Sequence, residues 1–324
     1  MKPDTIRAAV ESKKAQDANK RVAQLEKLLA TTVAAVERQR RARKVTVQPA
    51  KRMPRLRGDT IRMIACDVHG AKMARPAVSA FLRDAKQLNP QELILNGDII
   101  DCGGFLAQHH VMGYVAETAY SYEGDIAAAN GFLDGVQSAA PNAVIDFIEG
   151  NHCRRVETWC VTETLRHGSD GKFLLSLVGP EALLKLSDRG IHYRRSGECH
   201  DGLSVPGIIK RGKCYFHHGV LAAKNAAAAT QVGMAGNIVF AHTHRAQSDI
   251  VRKVGVGVVG SWNPGCLCEM QPLWCHGRHT DWTHGYAVQF VSHTGKFLHL
   301  NIPIINGVSL FTSAFAPIPL AKAA

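Results

Sequence analysis

The sequence predicts an α/β fold, a sandwich of mixed sheets flanked by helices. Three observations predict it. Between residues 61 and 241, short apolar runs alternate with helix-like stretches, the pattern of strands joined through crossover helices. From residue 254 onward the apolar runs follow one another with no helix between them, as consecutive strands do. The early runs each end in Asp, Asn or His residues, and sites in open α/β sheets collect beyond the carboxyl ends of strands.

The first 57 residues stand apart. Residues 5–43 read as a helix, with Val22, Leu25, Leu29 and Val36 at about heptad spacing and Leu28 and Val33 beside them. That is too short and imperfect for a coiled coil. Pro49 and Pro54 end it, leaving 44–58 as a linker. This arm holds 16 of the 39 basic residues and 5 of the 27 acidic ones. It therefore carries +11 of the formal +12, and the body is close to neutral. The arm can be an oligomerisation helix, a flexible basic arm or a nucleic-acid contact; any phosphate attraction would be non-specific and salt-sensitive. All 16 histidines lie in the body. The expected organisation is an arm and linker at 1–57, a body at 58–313 and an irregular tail at 314–324.

Within the body, 61–66 reads as a strand leading to Asp67, and 74–88 as an amphipathic helix. A strand at 92–96 leads to Gly97-Asp98, with a helical region around 115–136 after it. A third strand at 143–149 ends at Gly150-Asn151-His152. The run 214–216 leads to His217-His218-Gly219. An Ala-rich helix at 220–235 and a strand at 237–241 lead to His242-Thr243-His244. Strands follow at 254–259, 286–292 and 297–302, and residues 261–265 read as a loop at the site rim. The longest uncharged run, 300–321, contains Asn301, Pro303, Asn306, Gly307, Pro317 and Pro319. It suits a terminal strand and irregular tail, not a membrane helix.

Composition excludes several classes. With 46% hydrophobic and 20% charged residues, the chain is not wholly disordered, collagen-like or a small disulfide scaffold. Its nine cysteines show no framework spacing, and the first thirty residues lack the apolar core of a secretory signal. Free thiols in a reducing cytoplasm are expected.

The polar strand ends carry the chemistry. Residues two apart, Asp67/His69 and His242/His244, project to the same side of an extended segment. Mixed Asp, His and Asn donors suit Mn²⁺, Fe or Zn²⁺ better than Ca²⁺. The sequence reads Asp67-Val68-His69, Gly97-Asp98-Ile99-Ile100-Asp101, Gly150-Asn151-His152-Cys153, His218 and Ala241-His242-Thr243-His244. This order resembles the calcineurin-like metallophosphoesterase superfamily over roughly residues 60–305. The Gly-Asn-His-x-x-Arg form, with Arg155, looks like its phage and prophage branch.

The resemblance implies a four-layer α/β/β/α sandwich with two divalent ions, Mn²⁺ first, with Fe, Zn²⁺ or Ni²⁺ as other choices. It implies Asp67, His69 and His244 at one ion, Asn151, His218 and His242 at the other, and Asp98 between them. It implies phosphoester hydrolysis by a hydroxide shared between the metals, with His152 beside the phosphate as general acid or transition-state stabiliser. A phosphodiesterase or nuclease-like enzyme is expected. Two alternatives stay open: a phosphomonoesterase acting on a nucleotide or phosphoprotein, and a nucleic-acid-binding or assembly protein with a degenerate metal site. No membrane partner is expected. Cys153 stands where the family usually has Asp or Glu, and Ala241 where it has Gly. Asp101-Cys102-Gly103 lacks the Asp-Arg-Gly of the protein Ser/Thr phosphatase branch.

Other residues are less decided. His217 competes with His218, which holds the family position before Gly219. Asp101 is expected to hydrogen-bond a ligand histidine. His109 and His110 can contact substrate phosphate or form an ordinary loop or helix pair. Arg154 and Arg155 can clamp a phosphate or make ordinary surface pairs. Cys266, Cys268, Cys275, His276 and His279 read as structural thiols and histidines more than as a zinc site. Trp274 and Trp282 can stack a base or pack in the core.

Overall fold

The computed structural model describes residues 59–103, 120–167, 171–272 and 279–315, together with Gln16, Asn19, Lys20, Ala23 and Lys27. Those five arm residues are helical and exposed. The chain divides into two compact units, Met1–Thr46 and Val47–Ala324. No helix among the described residues is long and apolar enough to cross a membrane.

Two mixed sheets build the second unit. In the first, β1 (Thr60–Ala65), β2 (Glu92–Asn96), β3 (Val144–Ile148) and β4 (His192–Arg194) run parallel. β10 (Gly285–Val291), β11 (Phe297–Ile305) and β12 (Val308–Ser309) extend it antiparallel beyond β1, giving the order β12-β11-β10-β1-β2-β3-β4. The second sheet comprises β5 (Ile209–Arg211), β6 (Cys214–Phe216), β7 (Asn237–Val239), β8 (Ala246–Lys253) and β9 (Gly257–Pro264), in the order β5-β6-β7-β9-β8.

Strand alternation sorts the apolar residues into layers. Met63 and Ala65 of β1, Leu93 and Leu95 of β2, and Ile145 and Phe147 of β3 face a core shared with helices. Those helices include α1 (Arg75–Leu88), which starts with Pro76 in its first turn and ends on left-handed Asn89. They also include α2 (Tyr122–Ala139), whose Ser121 cap accepts from Gly124 N at 3.0 Å. The intervening residues Ile64, Ile94 and Ile148 meet Ile209, Cys214, Phe216 and Val239 of the second sheet. On the far side of that sheet, Ala226 and Ala227 of a short helix pack on Phe240. The result is four layers, α/β/β/α, as expected.

Two buried ion pairs lie on the faces between the sheets. Arg62 donates from Nε to Glu92 Oε2 (2.6 Å) and from Nη1 to Gln289 Oε1 (2.7 Å), with its guanidinium over the Phe216 ring. Asp146, on β3, accepts from Arg194 Nε (2.7 Å) on its own sheet and from Arg211 Nε (2.9 Å) and Nη2 (2.7 Å) on the other. Burial alone would raise the Asp146 pKa. His192 at 3.8 Å and the two guanidinium charges outweigh burial and bring it down to about 2. A depressed folded pKa contributes stability above the unfolded value and loses it as pH falls through the folded one. The shift corresponds to roughly 2–3 kcal/mol at neutral pH. Asp146→Asn should cost about 3 kcal/mol, because it leaves two arginines facing a neutral amide. Calorimetry should show a melting temperature lower by several degrees at pH 7. That gap should narrow as pH falls from about 4 towards about 2.

Several expectations on element bounds need correcting. The Ala-rich helix spans only Ala226–Gly233, because residues 220–225 form turns and irregular chain leading away from His218. Residues 254–256 are the turn of the β8–β9 hairpin, where Gly255 and Gly257 take positive φ. Residues 261–264 belong to β9 rather than to a rim loop. The run after β11 is not simply irregular: Leu310–Phe315 is helical.

Candidate metal centre

The polar strand ends of both sheets meet at one place. Asp67 and His69 follow β1, Asp98 follows β2, and Asn151 and His152 follow β3. His218 follows β6, and His242 and His244 follow β7. The loops are stitched by backbone: Val68 N and His69 N both donate to Asp98 O (2.9 Å), and Ala241 N donates to His218 O (2.8 Å). Asn96 crosses between the sheets, its Nδ2 donating to His217 O (3.2 Å).

The chain is strained here. Asp67, His69, Asp98, His242 and His244 all have positive φ, from 50° to 73°. Each such non-glycine residue costs on the order of 1 kcal/mol and persists only where its surroundings over-determine it. Gly150 is required by proximity: a Cβ there would lie 2.1 Å from Asp98 Oδ1.

The donors form two groups around one shared carboxylate. On one side, His69 Nε2 is 3.2 Å from His244 Nε2, which is 3.4 Å from Asp67 Oδ1. On the other, His218 Nε2 is 3.1 Å from Asp98 Oδ2 and 3.0 Å from Asn151 Oδ1, and His242 Nδ1 is 2.8 Å from the same amide oxygen. Asp98 lies within ligand range of His69 and His152 and also of His218 and His242. Asp67 lies near the second group too, accepting from His242 N at 3.1 Å.

Proton positions show what these groups need. His69 Nδ1 meets the Asp101 carboxylate (2.9 Å) and His218 Nδ1 meets Asn96 O (2.9 Å). Both acceptors require the proton on Nδ1, so each Nε2 offers a lone pair inward. His69 Nε2 then faces His244 Nε2, and His218 Nε2 faces two oxygens. Asp67 Oδ1 is buried with no hydrogen-bond donor among the described residues. Acceptors turned on one another repel unless something positive sits among them. A proton is one answer: against its burial, the Asp98 and Asp67 carboxylates lift His218 to about 9. Burial raises Asp98 and Asp67, and the neighbouring histidines overcome it and hold both below the usual carboxylate range. A divalent cation answers all the donors at once and displaces that proton. The residues present fit such ions.

Around the donors, Asp101 is largely buried and stays ionised, because its contacts with His152 and His69 outweigh burial. His152 Nδ1 lies 2.6 Å from Asp101 O, and its Nε2 lies 3.2 Å from Arg155 Nη2. In this arrangement His152 is neutral and Nε2 is an acceptor from the guanidinium. Burial also pulls the His152 pKa down. Arg155 further donates to Cys102 O at 3.2 Å, while Arg154 is exposed. His217 turns away from the donors: its Nδ1 accepts from Gly219 N at 3.1 Å, and burial and the neighbouring histidines lower it to about 4. His109 and His110 lie outside the described residues, as do Trp274, Cys275 and His276.

The cysteine cluster does not assemble among the described residues. His279 is exposed, whereas Cys268 is buried with Sγ 3.7 Å from His244 Nδ1. Trp282 packs edge-on against His244, with ring centroids 4.0 Å apart. Cys153 belongs to the helix-side core, its thiol pushed up to about 12 by burial. Sequence reasoning missed Asn96, and it set Cys268 among structural thiols and Asn263 in a rim loop; Asn263 Nδ2 holds Ala241 O (2.8 Å) and Thr243 Oγ1 (3.0 Å). The one signal was a polar residue closing or interrupting an apolar strand.

The fold and site define a class: an α/β/β/α sandwich with a two-centred cluster of Asp, His and Asn donors at its strand ends. No family model matches the chain, and no curated protein matches it. Solved structures do. The phosphoesterase Yfce from E. coli shares 15% identity over 74% of this chain and 98% of that chain, with a TM-score of 0.30. Vacuolar protein sorting 29 from Cryptosporidium parvum shares 11% over 78% and 95%, with a TM-score of 0.36. A metallophosphoesterase from Sphaerobacter thermophilus shares 15% over 75% and 88%, with a TM-score of 0.33. At these values the likenesses carry no argument about function, which rests on the donors themselves.

Proposed function

We propose that this protein is a metal-dependent phosphoesterase of the calcineurin-like superfamily, phage-type, acting on phosphodiesters. The observation that carries the reading is the inward convergence of His69, His244, His218, Asp67, Asp98 and Asn151. Asp67, His69 and His244 would hold one divalent ion; Asn151, His218 and His242 would hold the other; Asp98 would serve both. Ions bound there, Mn²⁺ first, would neutralise phosphate charge and activate the attacking water.

The remaining chemistry belongs to the chain. Asp101 keeps the His69 proton on Nδ1 and so keeps Nε2 a donor. Asn96 O does the same for His218. His152 stands beside Asp98 with its Nε2 paired to Arg155. A phosphate oxygen would draw the guanidinium away, since Arg binds phosphate in a bidentate fork. That movement frees His152 Nε2 to take up a proton from solvent and then pass it to the leaving oxygen. The basic arm supports a polyanionic substrate such as nucleic acid, held without base stacking since it has no aromatic residue.

The test uses metal-stripped full-length protein, reloaded with Mn²⁺, Zn²⁺ or Mg²⁺. Small mono- and diesters, single-stranded DNA and duplex DNA are offered at two salt concentrations. Hydrolysis should vanish on stripping and return with Mn²⁺, with diesters preferred and DNA cleavage falling with salt. Monoester preference would select the phosphomonoesterase. DNA binding with no hydrolysis under any metal would select the binding protein.

A further inference from the structure

We propose that Asp125 is the positioning residue that holds the Asp67–His69 loop and the Asp98–Asp101 loop in register, and through Asp101 sets both His69 and His152. The inference rests on the metal-centre reading above.

Asp125 lies in the first turn of α2 and is fully buried. A first-turn acid ordinarily faces the free N–H groups of its own helix. Asp125 turns both oxygens elsewhere. Oδ1 accepts from Ala71 N (3.1 Å), in the loop after β1. Oδ2 accepts from Asp101 N (3.0 Å) and Cys102 N (2.9 Å), in the loop after β2, and from the Tyr120 hydroxyl (2.9 Å). The carboxylate lies directly against the first loop's backbone. Gly70 has φ +44°, and a Cβ there would fall 1.7 Å from Asp125 Oδ1.

Strained residues lie in the same two loops: His69 two positions before Ala71, Asp98 three before Asp101, and Cys102 itself. Left-handed non-glycine backbone relaxes unless something holds it. Three charge-assisted bonds from one carboxylate to two loops supply that hold. The influence passes on through Asp101. Its Oδ1 fixes the His69 tautomer at 2.9 Å, and its carbonyl oxygen meets His152 Nδ1 at 2.6 Å. A ligand and the proposed proton donor thus share one anchor.

Asp125→Asn keeps the volume but turns an NH₂ group towards one set of N–H donors. Partners of this kind change metal affinity by about 10- to 100-fold. Mn²⁺ binding is measured by titration calorimetry and by electron paramagnetic resonance for the wild type, Asp125→Asn, Asp101→Asn and the double variant, with thermal melts of each. Asp125→Asn should weaken Mn²⁺ binding at least tenfold and lose the spin-coupled pair signal. In the Asp101→Asn background its added effect should be clearly smaller than in the wild type, since the part that passes through the Asp101 carboxylate is already lost.

A merely structural aspartate would instead give multiplicative effects that follow the fall in melting temperature, and that result overturns the inference. Wild-type affinity in Asp125→Asn overturns it as well. If Asp125→Asn does not fold, Tyr120→Phe removes one bond to the same carboxylate. It should weaken Mn²⁺ binding a few-fold, and by less when Asp101 is replaced; equal loss in both backgrounds overturns the inference. Wild-type protein that binds no divalent ion overturns the metal-centre reading and this inference with it. Wild-type binding with unchanged variants overturns this inference alone.

Discussion

Asp98→Asn should lower turnover on the order of 10³-fold, about 4 kcal/mol of transition-state stabilisation, while the protein stays folded. Asp98 is the one carboxylate within ligand range of both donor groups. Its neutral isostere removes the charge that would tie two ions together and halves the available oxygen donors. In the metal-free protein the protonated His218 donates from Nε2 to Asp98 Oδ2 at 3.1 Å, and the variant's neutral amide gives up that ion pair. The metal-free variant should therefore stay folded but melt somewhat below metal-free wild type at pH 7. Metal counting should find one tightly bound ion where two are expected in the wild type. Two tight ions with near-normal turnover would refute the assigned role.

His152→Ala should leave both ions bound and lower turnover by about 10²- to 10³-fold, as loss of a general acid does. The dependence on leaving group decides what His152 does. An alkoxide needs a proton as it departs, whereas a nitrophenolate leaves without one. Hydrolysis of an alkyl diester should therefore fall by the full factor, and that of a nitrophenyl diester by about tenfold or less. Equal losses on the two substrates would make His152 a stabiliser of phosphate charge instead. Loss of metal comparable to that in Asp98→Asn would place it among the ligands.

Much of this centre was legible in the sequence because its donors sit at strand ends, which short apolar runs reveal. Asp67, Asp98, Asn151, His218, His242 and His244 each follow such a run by one to three residues. The choice between His217 and His218 rested on the following Gly219, and the structure turns only His218 towards Asp98. What stayed hidden depends on contacts distant in sequence. Asn96 reads as an ordinary strand terminus until the second sheet is laid over it. Cys268 reads as one of five spaced Cys and His residues, yet its sulfur meets His244, twenty-four positions away. Asp125 falls inside the helical region expected around 115–136, and only the folded loops show where its oxygens point. The β8–β9 hairpin was misplaced because its turn, Val254-Gly255-Val256, is as apolar as a strand.

The donors come from both sheets: Asp67, His69, Asp98 and Asn151 from one, His218, His242 and His244 from the other. An ion held by residues of both layers is then a rivet across a seam. Sliding of one sheet past the other would be felt there first, because ligand distances tolerate only tenths of an ångström. The contact of Phe216 with Ile64 and Ile94, and the Asp146–Arg211 bridge, set that alignment from inside the sandwich. Residues far from any donor thus calibrate the centre, and the chemistry inherits the mechanical stiffness of the core.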